Sequence, residues 1–543
     1  MSAVRREGRE EPDEGDLPRV EERPSRRGVG DLPRPAGTAL GGGLLLLWLA
    51  VVLLLSLRHE PWRDEVRALT LATEPVHGWQ LPQALRNEGH PLLWYILLRA
   101  AYGAFGTPVV LQGTSVAVAF LALVLLFRAG PFPLWWKALF AFSFLPLYEY
   151  AVLARNYGLT MVLAFAFAAA YPQRRRHPYL LALILALLAN SNLHSLPLAA
   201  GLLALWLWEE GFSEGWREAG RRLQRLVLPA TLVAFAGALA LWTCLPDRDA
   251  LPPGVSTPSG AALIGALGGA FLHPGATFPV LLPLPGWMRD LVLWILLAGF
   301  AGWVPGLLLL LGYDLLLQTL FRAVYPGGLR QQGLLLVAFV AVAWMARERQ
   351  GEGQAAGGGW RGRLAGALYR LALWGVLPLL FALHLYLSRG PLRQDWERPF
   401  TSAPRLAALL ERESGLRGAI LIPEPDHLLE SLPYYSGAPV YLPRQGTFAR
   451  RVSYSRQFRR DLSLGELLRT AEELKVRHGV PVLIVWGHAP IRAAEAGEAA
   501  LAGGKPLRWT AAEADAFLGS VTLVAYLQGA ISDENYRVYR LDR

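Results

Sequence analysis

Asp64 and Glu65 stand side by side in "HEPWRDEVRALTLATEP" (59–75), flanked by Arg63 and Arg67, where the chain leaves its first long apolar run. Carboxylates can take a proton and arginines can hold an anion. Pro followed by acids is also an ordinary first helical turn, with the carboxylates facing the positive helix end. Other polar groups interrupt an otherwise apolar chain. They are His90 in "GHP" (89–91), Glu149, Arg155 and Tyr157 in "LPLYEYAVLARNYG" (145–158), Asn190, Asn192 and His194 in "NSNLH", and Arg330, Gln331 and Gln332 in "GGLRQQG". Each has a plain alternative: helix entry for His90, snorkelling for Arg155, satisfaction of a helix break for His194 and the asparagines. Glu149, inside an apolar run, is the least easily explained by solvation. Charged groups are costly at membrane depth, so convergence of these residues would define a functional site.

The elements that must position them follow from composition. The chain has 543 residues, 53% of them hydrophobic. Leu-rich runs such as "GGGLLLLWLAVVLLLSL" (41–57) recur through the first 390 residues or so. Roughly 20 apolar residues cross a bilayer, so the fold class is a polytopic α-helical membrane protein. The net charge of +10 comes from arginine, with Lys137, Lys475 and Lys505 the only lysines. The arginines cluster between apolar runs, which points to membrane orientation rather than nucleic acid as the reason for the charge. The single cysteine, Cys244, excludes an internal disulfide.

Basic clusters at Arg128, Arg174–Arg176, Arg217–Arg225 and Arg347–Arg363 belong in the cytoplasm by the positive-inside rule, so even numbers of crossings separate them. One hairpin fits between the first pair and a shorter one between the second. Residues 226–344 have room for four crossings, with an inner break near Trp303–Gly306. "HPLLWYILLRAAYGAFG" (90–106) breaks this parity. It is short, contains Arg99 and ends at Gly106-Thr107-Pro108, so it is expected to lie in the outer interface with Trp94, Tyr95 and Tyr102 at headgroup depth.

The expected layout is therefore a disordered cytoplasmic tail (1–37) and a transmembrane region (38–388) of about 11 crossings. Its first run, 38–57, serves as an uncleaved anchor, and its first extracytoplasmic loop is 58–108. An extracytoplasmic α/β domain (389–543) follows. There the strands "GAILI", "PVYL", "PVLIVW" and "VTLVAYL" surround "SLGELLRTAEELKVRHG", a helix with Ser463–Glu466 capping-box spacing and a Gly479 stop. Asp426-His427 and His488 follow strands in that domain, where capping and loop polarity account for them. Polar candidates from the transmembrane region then fall on the outer face.

The order of "RDE" (63–65), "GHPLLWYILLR" (89–99) and "LARNYGL" (153–159) resembles polytopic GT-C glycosyltransferases, closest to the protein-mannosyltransferase-like and lipid A aminoarabinose transferase-like branches. The specific motifs cover about the first 160 residues, and beyond them the resemblance is architectural. It implies a polyprenyl-phosphate-linked sugar donor and transfer to an envelope acceptor (lipid, glycan or protein) outside the bacterial inner membrane. By resemblance Asp64 takes the place of the first-loop catalytic acid, with Glu65 beside it. His90 takes the place of a histidine lining the substrate path, and Arg155 that of the phosphate-binding arginine. Arg63, Glu149, Tyr157, His194 and Arg330 are grouped with them as donor-phosphate or substrate contacts. Asn156 stands where many members have proline, and one proline rather than two follows His90. The resemblance names no certain cofactor; a divalent ion (Mg or Mn) bridging Asp64 or Glu65 to phosphate is compatible with some branches, and the loop lacks a clear DxD. A lipid or polysaccharide transporter and a non-catalytic assembly scaffold are the competing classes.

Overall fold

The computed structural model describes residues 35–75, 77–212, 216–246, 249–250, 259–351, 360–455, 458, 461–499 and 506–542. The expected tail, 1–37, falls almost wholly outside them, as do parts of the 245–288 loop; of Arg217 only the backbone is described. Among the described residues, six helices are long and apolar enough to cross a membrane: Ala39–Arg58, Val110–Ala129, Ala219–Cys244, Val304–Ala323, Leu329–Arg349 and Trp360–Glu397. Leu329–Arg349 is the central helix, 83% buried, whereas Ala39–Arg58 is 11% buried and lies at the periphery. This difference explains their composition. The outer helix shows leucine to its surroundings, while "LLLVAFVAVAWMA" (334–346) packs small and branched side chains against the helix Tyr157–Ala170. Leu93–Phe105, Pro178–Ala189 and Gly260–Leu272 are apolar but shorter.

The segment that broke the crossing parity forms the helix Leu93–Phe105. Its 13 residues reach about 20 Å, less than the roughly 30 Å of bilayer hydrocarbon. One expectation is corrected here. Trp94 and Tyr95 are buried against the first-loop helix Arg63–Thr73 and do not face headgroups, because that helix offers them the apolar face Val66, Leu69 and Ala72. Tyr102 stays exposed. Arg99 caps the same helix, its Nη1 donating to the carbonyls of Ala72 at 2.9 Å and Pro75 at 2.8 Å.

All strands among the described residues lie between Ile420 and Leu541. The main sheet runs in the order Ile420–Glu424, Val482–Trp486, Tyr536–Leu541, Val521–Leu527, with the first pair parallel and the others antiparallel. The two parallel strands are buried along their whole length, as uninterrupted apolar runs require when both faces are covered. The helix Leu464–His478 starts at a complete capping box, with Glu466 N–H donating to Ser463 Oγ at 3.1 Å and Ser463 N–H to Glu466 Oε2 at 2.9 Å. It stops at Gly479, whose φ of +64° suits glycine.

This α/β unit is tied to the first loop. Arg63 N–H donates to Glu534 Oε1 (3.0 Å), Tyr435 Oη to the Pro61 carbonyl (2.8 Å) and Arg451 Nε to Glu74 Oε2 (2.7 Å). The first loop and the α/β unit therefore lie at the same end of the helices. Burial raises the Glu534 carboxyl to about 7, even though Thr401, Arg63 and Ser431 all favour its charged form.

Candidate functional site

The acids of the first loop do begin a helix, and Asp64 also faces a cleft. Asp64 and Glu65 occupy the first turn of Arg63–Thr73, pointing in different directions. The Asp64 side chain is 40% exposed, with Oδ2 3.7 Å from Arg155 Nη1. The same guanidinium donates to the Asp64 backbone carbonyl. A cleft of about 250 Å³ opens here, lined by Asp64, His90, Trp94, Arg155, Asn156 and Tyr454. Its desolvating walls work against ionisation of Asp64. Arg155, then Arg63, Arg330 and Arg67, outweigh them and hold the carboxyl below its ordinary range. Burial, reinforced by the charge on Arg155, pushes His90 down to about 3, so its ring is neutral at pH 7. His90 Nδ1 is buried without a hydrogen-bond partner among the described residues.

Glu65 is turned inward and fully buried. Its Oε1 accepts the Ala154 N–H at 2.5 Å, and its Oε2 faces His59 Nε2 at 2.9 Å and accepts the Trp62 N–H at 3.3 Å. His59 Nδ1 in turn lies 3.0 Å from Asp395, which also accepts from Tyr148 Oη at 2.6 Å. Glu65 therefore clamps the segment that carries Arg155. The expectation that it shares the chemistry with Asp64 does not fit its burial. The two carboxylates do not converge, and Arg155 flanks the exposed one. Among the described residues no group of three or more His, Cys, Asp or Glu could hold a metal.

Arg155 owes its position to a break between helices. Leu145–Glu149 forms a π-helical turn around Pro146, and the next regular helix begins at Tyr157. Gly158 sits where an added Cβ would meet the Tyr150 carbonyl at 2.8 Å. Gly158→Ala is expected to destabilise the protein by about 1–3 kcal/mol; thermal unfolding of the purified protein measures the effect.

The remaining candidates divide. Arg63 turns its guanidinium to Asp533 (3.2 Å), outside the cleft. Glu149 pairs with Arg330 (3.2 Å), and Tyr157 Oη accepts from Gln331 Nε2 at 2.8 Å, so these form a second polar layer beside the cleft. The charge of Arg330 still reaches Asp64. His194 packs on Phe321 with its Nδ1 unpartnered among the described residues, near enough to disfavour a charge on His90. Asn190 and Asn192 satisfy the helix break, donating to the carbonyls of Ala186 and Ala236 and to Thr160 Oγ1. Gln332 bridges Leu281 and Gly327.

The cleft also holds Glu88 and Tyr454, which the sequence did not single out, and Arg67, which it marked only as a flank of Asp64 and Glu65. Arg67 makes a two-pronged contact with Glu88 (2.9 and 2.7 Å), reaches Glu430 at 2.5 Å, and lies over the Tyr454 ring at 4.5 Å. Glu88 could have been suspected from "NEGHP", two residues before His90. Nothing local marks Tyr454. In the α/β unit, Asp426 and His488 join Glu424 and Arg444 in a buried cluster away from the cleft.

No family model matches the chain, and no curated protein matches it. Among solved structures it is similar to ArnT from Cupriavidus metallidurans in the apo state, with a TM-score of 0.47 and 15% identity over 92% of this chain and 98% of that one. It is also similar to ArnT from the same organism bound to undecaprenyl phosphate, with a TM-score of 0.46 and 14% identity over 94% and 98%.

Proposed function

We propose that the chain is a GT-C-type glycosyltransferase of the bacterial inner membrane that moves a sugar from a polyprenyl-phosphate donor to an envelope acceptor on the extracytoplasmic face. The observation that carries this reading is the pairing of Asp64 with Arg155 in one cleft, beside a neutral, unpartnered His90. In transfer, the acceptor hydroxyl attacks the anomeric carbon and gives its proton to Asp64, already ionised at neutral pH. The bond to the donor phosphate breaks, and the departing polyprenyl phosphate takes the electron pair. Arg155 turns from the Asp64 carbonyl to the phosphate, where a two-pronged guanidinium contact stabilises the new charge. Neutral His90 offers a hydrogen bond to a sugar hydroxyl without adding charge. The cleft is smaller than the roughly 300–1,000 Å³ typical of pockets enclosing a whole ligand. It suits a sugar phosphate headgroup whose prenyl chain stays in the bilayer.

In this reading the first loop and residues 389–543 are extracytoplasmic, the N-terminus is cytoplasmic, and shorter helices pair with the six long ones to bring the crossings to about 11. A periplasmic reporter fused after residue 388 is expected to be active; cytoplasmic readout would reverse the orientation. The central assay presents labelled undecaprenyl-phosphate sugars and envelope extract to the purified protein. No transfer with any donor would favour an assembly scaffold. Arg155→Lys keeps the charge but loses the fork. It is expected to lower transfer by about 10- to 100-fold, the loss of roughly 1.5–3 kcal/mol from a charge-assisted contact; unaltered kcat and KM for the donor would remove Arg155 from phosphate binding.

A further inference from the structure

A second polar cleft lies at the far end of the helices from Asp64. The helix Tyr157–Ala170 starts beside Arg155 and runs to Tyr171–Gln173, about 21 Å away. Pro178–Ala189 returns, and Ser195–Phe212 brings Glu210 back to the same end. There Arg174, Arg175, Arg221, Arg222 and Arg225 line a cleft of about 430 Å³ with one carboxylate, Glu210. Glu210 is buried and shared, 3.1 Å from both Arg174 Nε and Arg175 Nε. Among the described residues, Arg221 and Arg225 have no carboxylate partner. Arg174 is also held by Glu209 at 3.5 Å, so the positive charge left in the hollow rests chiefly on Arg221 and Arg225, a setting that suits an anion.

The rim indicates what carries that anion. Pro178 and Leu226 line the cleft, and the residues that follow each of them, Tyr179, Leu180 and Leu183 on one helix and Val227, Leu228 and Phe235 on the other, are exposed and apolar. A free anion would need only the arginines. A headgroup seated in them would send its acyl chains along these two helix faces. We propose that this cleft is a binding site for the phosphodiester headgroup of an anionic phospholipid, held by Arg221, Arg222 and Arg225 with Arg174 and Arg175 behind them. It is distinct from the Asp64–Arg155 cleft. Basic pockets between membrane helices recognise acidic lipids through this combination of forked donors and an apolar seat.

The test uses the full chain in neutral detergent, titrated with dioleoylphosphatidylglycerol, dioleoylphosphatidylcholine or inorganic phosphate. Bound lipid is read by native mass spectrometry and stabilisation by Tm. Phosphatidylglycerol is expected to bind and raise Tm, with phosphatidylcholine and phosphate giving little. The triple variant Arg221→Gln/Arg222→Gln/Arg225→Gln is expected to weaken phosphatidylglycerol binding on the order of 100-fold, while Arg155→Gln leaves it unchanged. Should the triple variant fold poorly, Arg225→Gln alone, at an exposed position, is expected to cost roughly fivefold. Retained binding in these variants, equal binding of phosphatidylcholine, or inorganic phosphate reproducing the full effect would each overturn the assignment.

Discussion

Asp64→Asn is expected to lower sugar transfer by on the order of 10²–10⁴-fold while leaving the Tm of the purified protein unchanged. The substitution preserves shape. The carboxylate it removes is 40% exposed and 3.7 Å from its arginine partner, and such half-exposed pairs contribute about 0–1 kcal/mol. The catalytic loss is larger because nothing else ionised in the cleft can take the acceptor proton. Glu88 is paired to Arg67, and His90, held near 3, is a weak base. The variant also releases Arg155 from its carboxylate neighbour, so donor binding is expected to hold or tighten as kcat falls. A donor KM that rises with kcat intact would make Asp64 a binding group. Transfer equal to wild type would remove it from the chemistry altogether. Because Arg155 and its neighbours keep the Asp64 carboxyl below its ordinary range, the wild-type rate is expected to lose this base only on strong acidification.

Glu65→Ala is expected to destabilise the protein by about 3–5 kcal/mol, the usual result of removing one member of a buried charge cluster. It leaves His59 buried beside Asp395 alone and orphans the Ala154 N–H. Burial disfavours a charge on His59, yet Glu65 and Asp395 overcome it and raise the ring to about 10. A raised folded value means that this stabilisation is complete below the ordinary 6.5 and is lost as pH climbs towards 10. Wild-type Tm is therefore expected to fall across that window, with a flatter slope in Glu65→Ala. Equal slopes would show that the His59–Glu65 pair does not couple to folding. Transfer should fall in the variant too, since Ala154 precedes Arg155, and at low temperature that loss is expected to be smaller than in Asp64→Asn. The opposite order of catalytic damage would make Glu65 rather than Asp64 the base.

The two variants separate functions that neighbouring letters of the sequence cannot. In "RDE" both acids lie in the first turn of a helix and look interchangeable. Helical geometry sends successive side chains about 100° apart. Which of the two meets the core depends on where the 151–156 segment, His59 and Asp395 pack. His90 and Arg155 were legible as polar exceptions in apolar surroundings. The paired asparagines carried the same signal, and the structure uses them to close a helix break. A polar residue in an apolar run announces that it must be satisfied, without saying whether the partner is backbone or substrate.

The membrane class, the short length of the 93–105 helix, the capped helix at 464–478 and the basic clusters are all legible in the sequence. Each depends on local periodicity, length or charge. Only the packed chain shows that Trp94 and Tyr95 turn inward, that Glu65 is a clamp, that Tyr454 reaches the first loop, and that arginines from two chain segments enclose one hollow at the far end. Those facts depend on contacts between residues distant in the chain. Side-chain type limits such contacts but does not specify them, because many partners could satisfy the same charge or fill the same volume until the helices have packed.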